Sequence, residues 1–527
     1  MNFSEIDLSA SPPCVSFPRE YNAAVDLIDR NVAEGRGERV AYIEEQRRTT
    51  YAELLARVNR AGNALRSLGV LPEQRVLLLM LDTSDFVAAF LGTMKIGAVP
   101  VPINTLLTPD DYAYITKDSR ARVAIVSDFL LSKLEAGVAK SNCDLQIAVA
   151  TSPLGGEKGE HLVLDDLLRD ASPDLAAAAT TPDDVAFWLY SSGSTGAPKG
   201  AIHLHSHLMR TAALYARGVL GIRENDVMYA AAKLFFAYGL GNSLTFPLSV
   251  GATTILVAER CTPPVISQVM TMHKPTIFYG VPTLFASLLA SPDFVSSPNL
   301  RVSTSAGEAL PKHVGEAWTA KFGTDILDGI GSTEMLHIFL SNRHGEARYG
   351  TSGKPVPGYD VKIVDDSGEP TTDGEEGSLW VKGATSCVAY WNQRDRSIAT
   401  FHGPWTKTGD RYIRDNDGYY TYSGRADDML KVGGIWVSPF EVESALSSHA
   451  SVLEAAVVGH ADEQGLVKPK AFVVLKPGTT RHHSLEAELK SFVKEKLAPY
   501  KYPRWIEFVT ELPKTATGKI QRFRLRG

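Results

Sequence analysis

Apolar and polar positions in the first third of the chain alternate between two periods. Residues 39–43 read as a short strand, and Thr50 is placed to cap a helix over 52–65, where apolar side chains recur at helical spacing. Residues 76–80, Val-Leu-Leu-Leu-Met, form an unbroken apolar run of the kind expected of a strand covered on both faces. A helix over 86–94 and a strand over 98–103 follow, and strand signals return at 253–257, 276–279 and 325–330. This alternation predicts an α/β fold of layered subdomains with largely parallel sheets.

The texture changes twice more. Residues 170–184 are rich in Ala, Thr, Asp and Pro and read as a connector. From about 351, short strands separated by Gly-containing turns (366–368, 415–418) predict a smaller β-rich subdomain. After Gly424 a compact α+β tail is expected, with a helix near 439–448, strands near 453–459 and 470–476, and a helix over 484–497. The expected division is therefore a large N-terminal domain, 1–424, with subdomains of about 1–178, 179–350 and 351–424, and a small C-terminal domain, 425–527.

Composition narrows the class. The chain has 527 residues, 44% hydrophobic and 22% charged, which is ordinary for a globular protein and excludes disordered and fibrous classes. A formal charge of -6 without a basic run argues against a nucleic-acid partner. The four cysteines (Cys14, Cys143, Cys261, Cys387) form no CxxC pair, so neither structural zinc nor a disulfide framework is indicated. The N-terminus lacks a signal-peptide pattern, and no apolar run approaches the ~18 residues of a membrane helix. A cytoplasmic protein without membrane association is the expectation.

The chemistry concentrates in Tyr190-Ser-Ser-Gly-Ser-Thr-Gly-Ala-Pro-Lys-Gly200, which follows the apolar, strand-like stretch 185–189. Small residues allow close backbone approach, and hydroxyls, exposed N–H groups and a lysine are the donors a polyphosphate requires. It is not a Walker A loop: Pro198 precedes Lys199 and Gly200 follows it, where Gly and Ser or Thr would be needed. His203, His205 and His207 alternate just beyond it, but spacing alone is weak ground for a metal site.

Two further segments stand in order behind it. One is Tyr422-Ser-Gly-Arg-Ala-Asp-Asp-Met-Leu-Lys-Val-Gly-Gly-Ile-Trp-Val-Ser-Pro-Phe-Glu-Val-Glu443, and the other is Pro513-Lys-Thr-Ala-Thr-Gly-Lys-Ile-Gln-Arg522. With 190–200 they resemble the AMP-forming acyl-CoA synthetase and adenylation superfamily, from about residue 40 to the end. The resemblance implies ATP and CoA as co-substrates, Mg2+, and a mobile C-terminal domain whose boundary falls at Gly424-Arg425-Ala-Asp427.

Residue by residue, the resemblance implies that Ser191, Ser192, Ser194, Thr195 and Lys199 hold the β- and γ-phosphates. Glu334, in Asp328-Gly-Ile-Gly-Ser-Thr-Glu334, would be the magnesium ligand, and Thr333 would contact the α-phosphate. Ala306, Gly307 and Glu308 match the adenine-contacting turn, and Asp328, Ile330 and Ser332 complete the nucleotide wall. Ile330 replaces the family's usual aromatic, so apolar contact rather than stacking is expected there. Asp410 and Arg425 match the ribose-holding pair. Lys519 takes the place of the adenylation lysine, where an ammonium can bridge carboxylate and α-phosphate. Asp427 matches the hinge, Lys431, Gly433 and Gly434 the loop that accompanies the thiol, and His205 the histidine before the helix that follows the phosphate loop.

The acid-binding segments read Phe235-Phe-Ala-Tyr-Gly-Leu-Gly-Asn242, Tyr279-Gly-Val-Pro282 and Gly331-Ser-Thr-Glu-Met-Leu-His-Ile338. Crowded aromatic and branched side chains favour a short, flat, apolar acid, although Phe235 reads as core filling. These segments resemble those of benzoate–CoA ligases, which implies that Ala237, Tyr238, Gly280, Gly331, Leu336, His337 and Ile338 line a ring pocket. The motifs alone leave open an aryl-acid adenylation enzyme loading a carrier-protein thiol, or a ligase for another small aromatic acid. A non-catalytic nucleotide-binding module would require loss of Glu334, Asp410, Arg425 or Lys519, and all four are present. A homodimer is among the assemblies the sequence allows.

Overall fold

The computed structural model describes residues 3–45, 47–193, 196–425, 428–432, 435–462, 466–479, 481–498, 500–514 and 520–526, excluding the side chains of residues 192, 431, 435 and 436. Its first layer is a five-stranded parallel sheet in the order Val99–Pro102, Arg75–Leu79, Val123–Ser127, Gln146–Ala150, Leu162–Val163. The run at 76–79 is buried throughout, which explains its unbroken apolar sequence. The helix Tyr51–Ser67 starts where the sequence placed it. Thr50 Oγ1 accepts from Glu53 N at 3.2 Å, and Glu53 Oε2 accepts from Thr50 N at 2.8 Å, closing a capping box.

The second layer is a nine-stranded sheet. Its order is Lys354–Pro355, Ile338–Ser341, Ile326–Gly331, Val302–Ser305, Ile277–Gly280, Val227–Ala230, Thr253–Leu256, Val40–Glu44, Arg47–Thr50. The 40–50 hairpin thus reaches across from the start of the chain to complete a sheet built mostly from residues after 226. Three adjacent parallel strands end at Gly280, Ser305 and Gly331, and their register keeps Gly280 opposite Ser305 and Ser305 opposite Asp328. In open α/β sheets, ligands bind beyond such carboxyl ends.

Asp360–Val364, Glu376–Lys382, Trp405–Arg414 and Tyr420–Arg425 pair antiparallel into the β-rich unit expected after 351. The C-terminal domain packs helices Pro439–Ser447 and Leu485–Lys496 on the sheet Val452–Ala461, Val467–Leu475, Trp505–Phe508. It has its own apolar core, including Leu430, Val442, Leu446, Val457, Val473 and Leu489. The whole is an α/β protein with a separate C-terminal domain. Among the described residues no helix is long and apolar enough to cross a membrane.

Candidate active site

The strand before the glycine-rich segment does not end near 189: residues 190–193 and 196–200 lie on paired antiparallel strands. Val185–Gly193 pairs antiparallel with Gly196–Leu204, with Ser191 opposite Lys199 and a register shift between Ser191 and Gly193. The extension was hidden because Gly and Ser carry little strand propensity of their own. Ser191 Oγ is buried and has no hydrogen-bond partner among the described residues. Ser194, Thr195 and the Ser192 side chain lie outside the described residues.

A segment the sequence did not single out braces this hairpin. Val388 N donates to Ile202 O at 2.9 Å, Ile202 N to Ala389 O at 3.1 Å, and Trp391 N to Gly200 O at 2.8 Å. Tyr390 is thereby carried to the base of the phosphate hairpin. Its hydroxyl donates to Glu334 Oε1 at 2.6 Å and accepts from Lys199 Nζ at 3.2 Å. Lys199 Nζ stands 3.8 Å from Glu334 Oε1 and 4.4 Å from the Tyr390 ring centroid. Burial is the strongest influence on Glu334 and opposes its ionisation, yet Lys199, the Tyr390 hydroxyl and Ser332 together hold its pKa below the ordinary value. The site therefore presents a carboxylate beside a cation.

The alternating histidines are buried and hydrogen-bonded within the protein. His203 Nε2 donates to Thr333 O at 2.8 Å, and its Nδ1 lies 3.1 Å from His207 Nδ1. His205 Nδ1 accepts from Ala23 N at 3.1 Å. Burial lowers the pKa of His203 and of His205 to about 4, so both are neutral at ordinary pH.

The residues expected on the nucleotide side fall on the ends of the parallel strands and on the β-rich sheet. Ala306 is buried, and Gly307 takes φ +96 with open space where a Cβ would point, so an L side chain there would be strained by the backbone alone. Glu308 Oε1 accepts from Ile520 N at 3.0 Å, which docks the residue after Lys519 on this turn. Asp410 and Arg425 are cross-strand partners, and Arg425 Nη1 donates to Asp410 Oδ1 at 3.2 Å. Ile330 faces Leu340 and is partly buried against an apolar cluster that includes Tyr279, Leu340 and Tyr412. Ser332 Oγ accepts from Met335 N at 3.2 Å and shapes the turn that carries Thr333 and Glu334.

Asp328 is 2% exposed, with Oδ2 accepting from Leu310 N at 3.3 Å and Oδ1 without a partner among the described residues. Burial pushes its pKa up to about 8. Between the unfolded value near 4 and that folded value, only the folded state holds the proton, so its contribution to stability falls as pH rises through this window. Asp328→Asn is expected to gain stability relative to the parent from pH 5 to pH 8. Thermal melts across that range check it, and parallel curves would contradict it.

The ring-pocket residues also converge. Ala237 and Tyr238 open the short helix Ala237–Leu240, and Tyr238 OH lies 2.6 Å from Thr304 Oγ1. The Tyr238 and His337 rings stand 5.5 Å apart, and His337 is 4.5 Å from Phe246. His337 Nε2 lies 3.1 Å from Asn242 Oδ1, and burial lowers its pKa to about 3, leaving a neutral imidazole. Gly331 faces Ile338 across the sheet, and a Cβ there would sit 2.5 Å from His337 O, so this approach of two backbones requires glycine. Leu336 turns the chain at φ +68 and is buried in an apolar cluster with Leu240 and Leu244, while Gly280 ends its strand beside Phe285. Phe235 is buried against Phe236, as core filling requires.

Asp427, Gly433, Gly434 and Lys519 lie outside the described residues, as does the Lys431 side chain, although Lys431 pairs with Trp436 through the backbone. Sequence reasoning missed Tyr390. Tyr390 sits in a stretch without a chemical pattern of its own, and only pairing with a strand nearly two hundred positions earlier gives it a role.

The strands around the glycine-rich segment, the adjoining Glu334–Lys199 pair and the turns at the carboxyl ends of the parallel strands carry many of the residues expected at an adenylate-forming site. Residues 29–391 match the family model described as AMP-binding enzyme, and residues 441–519 match the AMP-binding enzyme C-terminal domain. The chain belongs to the AMP-binding enzyme family. It is 58% identical over 527 residues to a benzoate–CoA ligase of Thauera aromatica, covering 99% of both chains. It superposes with a TM-score of 0.90 on a benzoate CoA ligase from Burkholderia xenovorans LB400, at 53% identity, covering 96% of this chain and 100% of that one. The anthranilate CoA ligase AuaEII, solved with anthranoyl-AMP, gives a TM-score of 0.92 at 45% identity, covering 97% of each chain.

Proposed function

We propose that this chain is a benzoate–CoA ligase, converting benzoate, ATP and CoA to benzoyl-CoA, AMP and pyrophosphate through a benzoyl-adenylate. The observation that carries the reading is the 58% identity to a benzoate–CoA ligase across 99% of both chains. The flat walls of Tyr238 and His337 and the small residues at 237, 280 and 331 favour a ring-shaped acid.

In the first half-reaction a benzoate oxygen attacks the α-phosphorus and pyrophosphate leaves. Lys199 and the hydroxyls of 191–195 hold the β- and γ-phosphates, Thr333 the α-phosphate, Ala306–Glu308 the base, and Asp410 with Arg425 the ribose. Lys519 bridges the carboxylate and α-phosphate, where a preorganised cation stabilises charge moving onto pyrophosphate. In the second half-reaction the CoA sulfur attacks the acyl carbon and AMP departs, with Lys431, Gly433 and Gly434 beside the thiol.

Glu334 fits a magnesium ion. No group of three or more His, Cys, Asp and Glu capable of caging a metal occurs among the described residues, whereas magnesium commonly takes one or two carboxylates and completes its shell from phosphates and water. When bound, it neutralises phosphate charge. ATP and CoA as co-substrates place the reaction in the cytoplasm under this reading.

AMP release with free CoA tests the function across benzoate, 2-fluorobenzoate, 4-hydroxybenzoate, cinnamate, hexanoate and acetate. Benzoate is expected to turn over fastest, and small ring substituents to cost within the ~1–3 kcal/mol typical of one added group. Adenylate formed but not discharged by free CoA would instead indicate carrier loading, and a best substrate outside the benzoates would overturn the ring-pocket assignment.

A further inference from the structure

We propose that Tyr390 is a positioning residue that holds Glu334 and Lys199 oriented but apart, one for the metal and the other for the phosphates. The inference rests on the reading of Glu334 as metal ligand and of Lys199 as phosphate ligand. A tyrosine hydroxyl has one proton to give and lone pairs to receive, and here it gives to Glu334 Oε1 at 2.6 Å and receives from Lys199 at 3.2 Å. Lys199 and Glu334 remain 3.8 Å apart, beyond a direct hydrogen bond. Without the hydroxyl, the two opposite charges are free to close to a direct charge-assisted bond of about 2.8 Å. That bond would engage the carboxylate and ammonium with each other, leaving both less available to metal and phosphate.

Tyr390 is itself firmly held. It is 3% exposed, it bridges Ala201 on the hairpin, and its N–H donates to Ser397 Oγ at 3.0 Å. Three residues earlier, Cys387 N donates to Glu334 O at 2.7 Å, so one short segment grips both the hairpin and the acidic turn. Such support fixes a ligand's orientation, and its loss typically costs about 10–100-fold in metal affinity.

Tyr390→Phe keeps the ring beneath Lys199 and removes only the hydroxyl. The test is Mn2+ binding by electron paramagnetic resonance, on the full chain with a non-hydrolysable ATP analogue, alongside steady-state kinetics. Tyr390→Phe is expected to raise the Mn2+ Kd by about tenfold or more, and to raise the KM for ATP while leaving the KM for benzoate unchanged. AMP binding without metal, equal to the parent's, shows that the variant is folded. A Mn2+ Kd within about twofold of the parent, with Glu334→Gln losing the metal, would overturn the role of Tyr390. Glu334→Gln that binds Mn2+ normally would overturn the metal-ligand reading beneath it.

Discussion

Lys519→Ala is expected to lose benzoyl-adenylate formation by about 10²–10³-fold in kcat, the cost of removing one preorganised charge-stabilising donor. It should still convert supplied benzoyl-adenylate and CoA to benzoyl-CoA at close to the parent rate. The split arises because the lysine serves only the step in which charge shifts from carboxylate and α-phosphate to pyrophosphate. Ile520 N is hydrogen-bonded to Glu308 Oε1 at 3.0 Å, so the residue following Lys519 is seated on the proposed adenine turn. Pre-steady-state measurement of both half-reactions checks it. Equal loss of the two would contradict the assigned role.

Asp427→Pro is expected to separate the half-reactions in the opposite sense. Arg425 is paired with Asp410 in the β-rich sheet, whereas Asp428 is ion-paired with Arg526 and lies 3.9 Å from Arg522 of the C-terminal tail. Arg522 is in turn clamped to Glu443 by bonds of 2.9 and 2.6 Å. With Arg425 paired in the β-rich sheet and Asp428 ion-paired within the C-terminal domain, the proposed hinge at Asp427 falls between these two attachments. Proline fixes φ near −65°. ATP–pyrophosphate exchange should persist, while thioester formation falls on the order of a hundredfold, the cost of a misplaced reacting group. Unchanged thioester synthesis would contradict a hinge at this position.

What the sequence made legible follows from how local each signal is. The helix Tyr51–Ser67 was readable because its start is written in Thr50 and Glu53, three positions apart. The strand Arg75–Leu79 was readable because burial on both faces leaves an apolar run. The hairpin 185–204 was read only as far as its apolar half, since its outer half is Gly, Ser and Pro held by pairing rather than propensity. The recruitment of Val40–Thr50 into a sheet built mostly after residue 226 leaves no local trace. At the site, Lys199 and Glu334 were singled out by motif, but the tyrosine joining them was not. The three alternating histidines drew notice for their spacing, and their hydrogen bonds to Thr333 and Ala23 depend on contacts that no window of sequence contains.

The most direct test of the account is the fate of oxygen from benzoate labelled with 18O in its carboxylate, turned over with ATP and CoA. Attack of a carboxylate oxygen on the α-phosphorus, followed by thiol attack on the acyl carbon, leaves one labelled oxygen in AMP and one in benzoyl-CoA. Mass spectrometry of the products should find that distribution. Label in inorganic phosphate, with ADP in place of AMP, would mean attack at the γ-phosphorus and would contradict the acyl-adenylate mechanism.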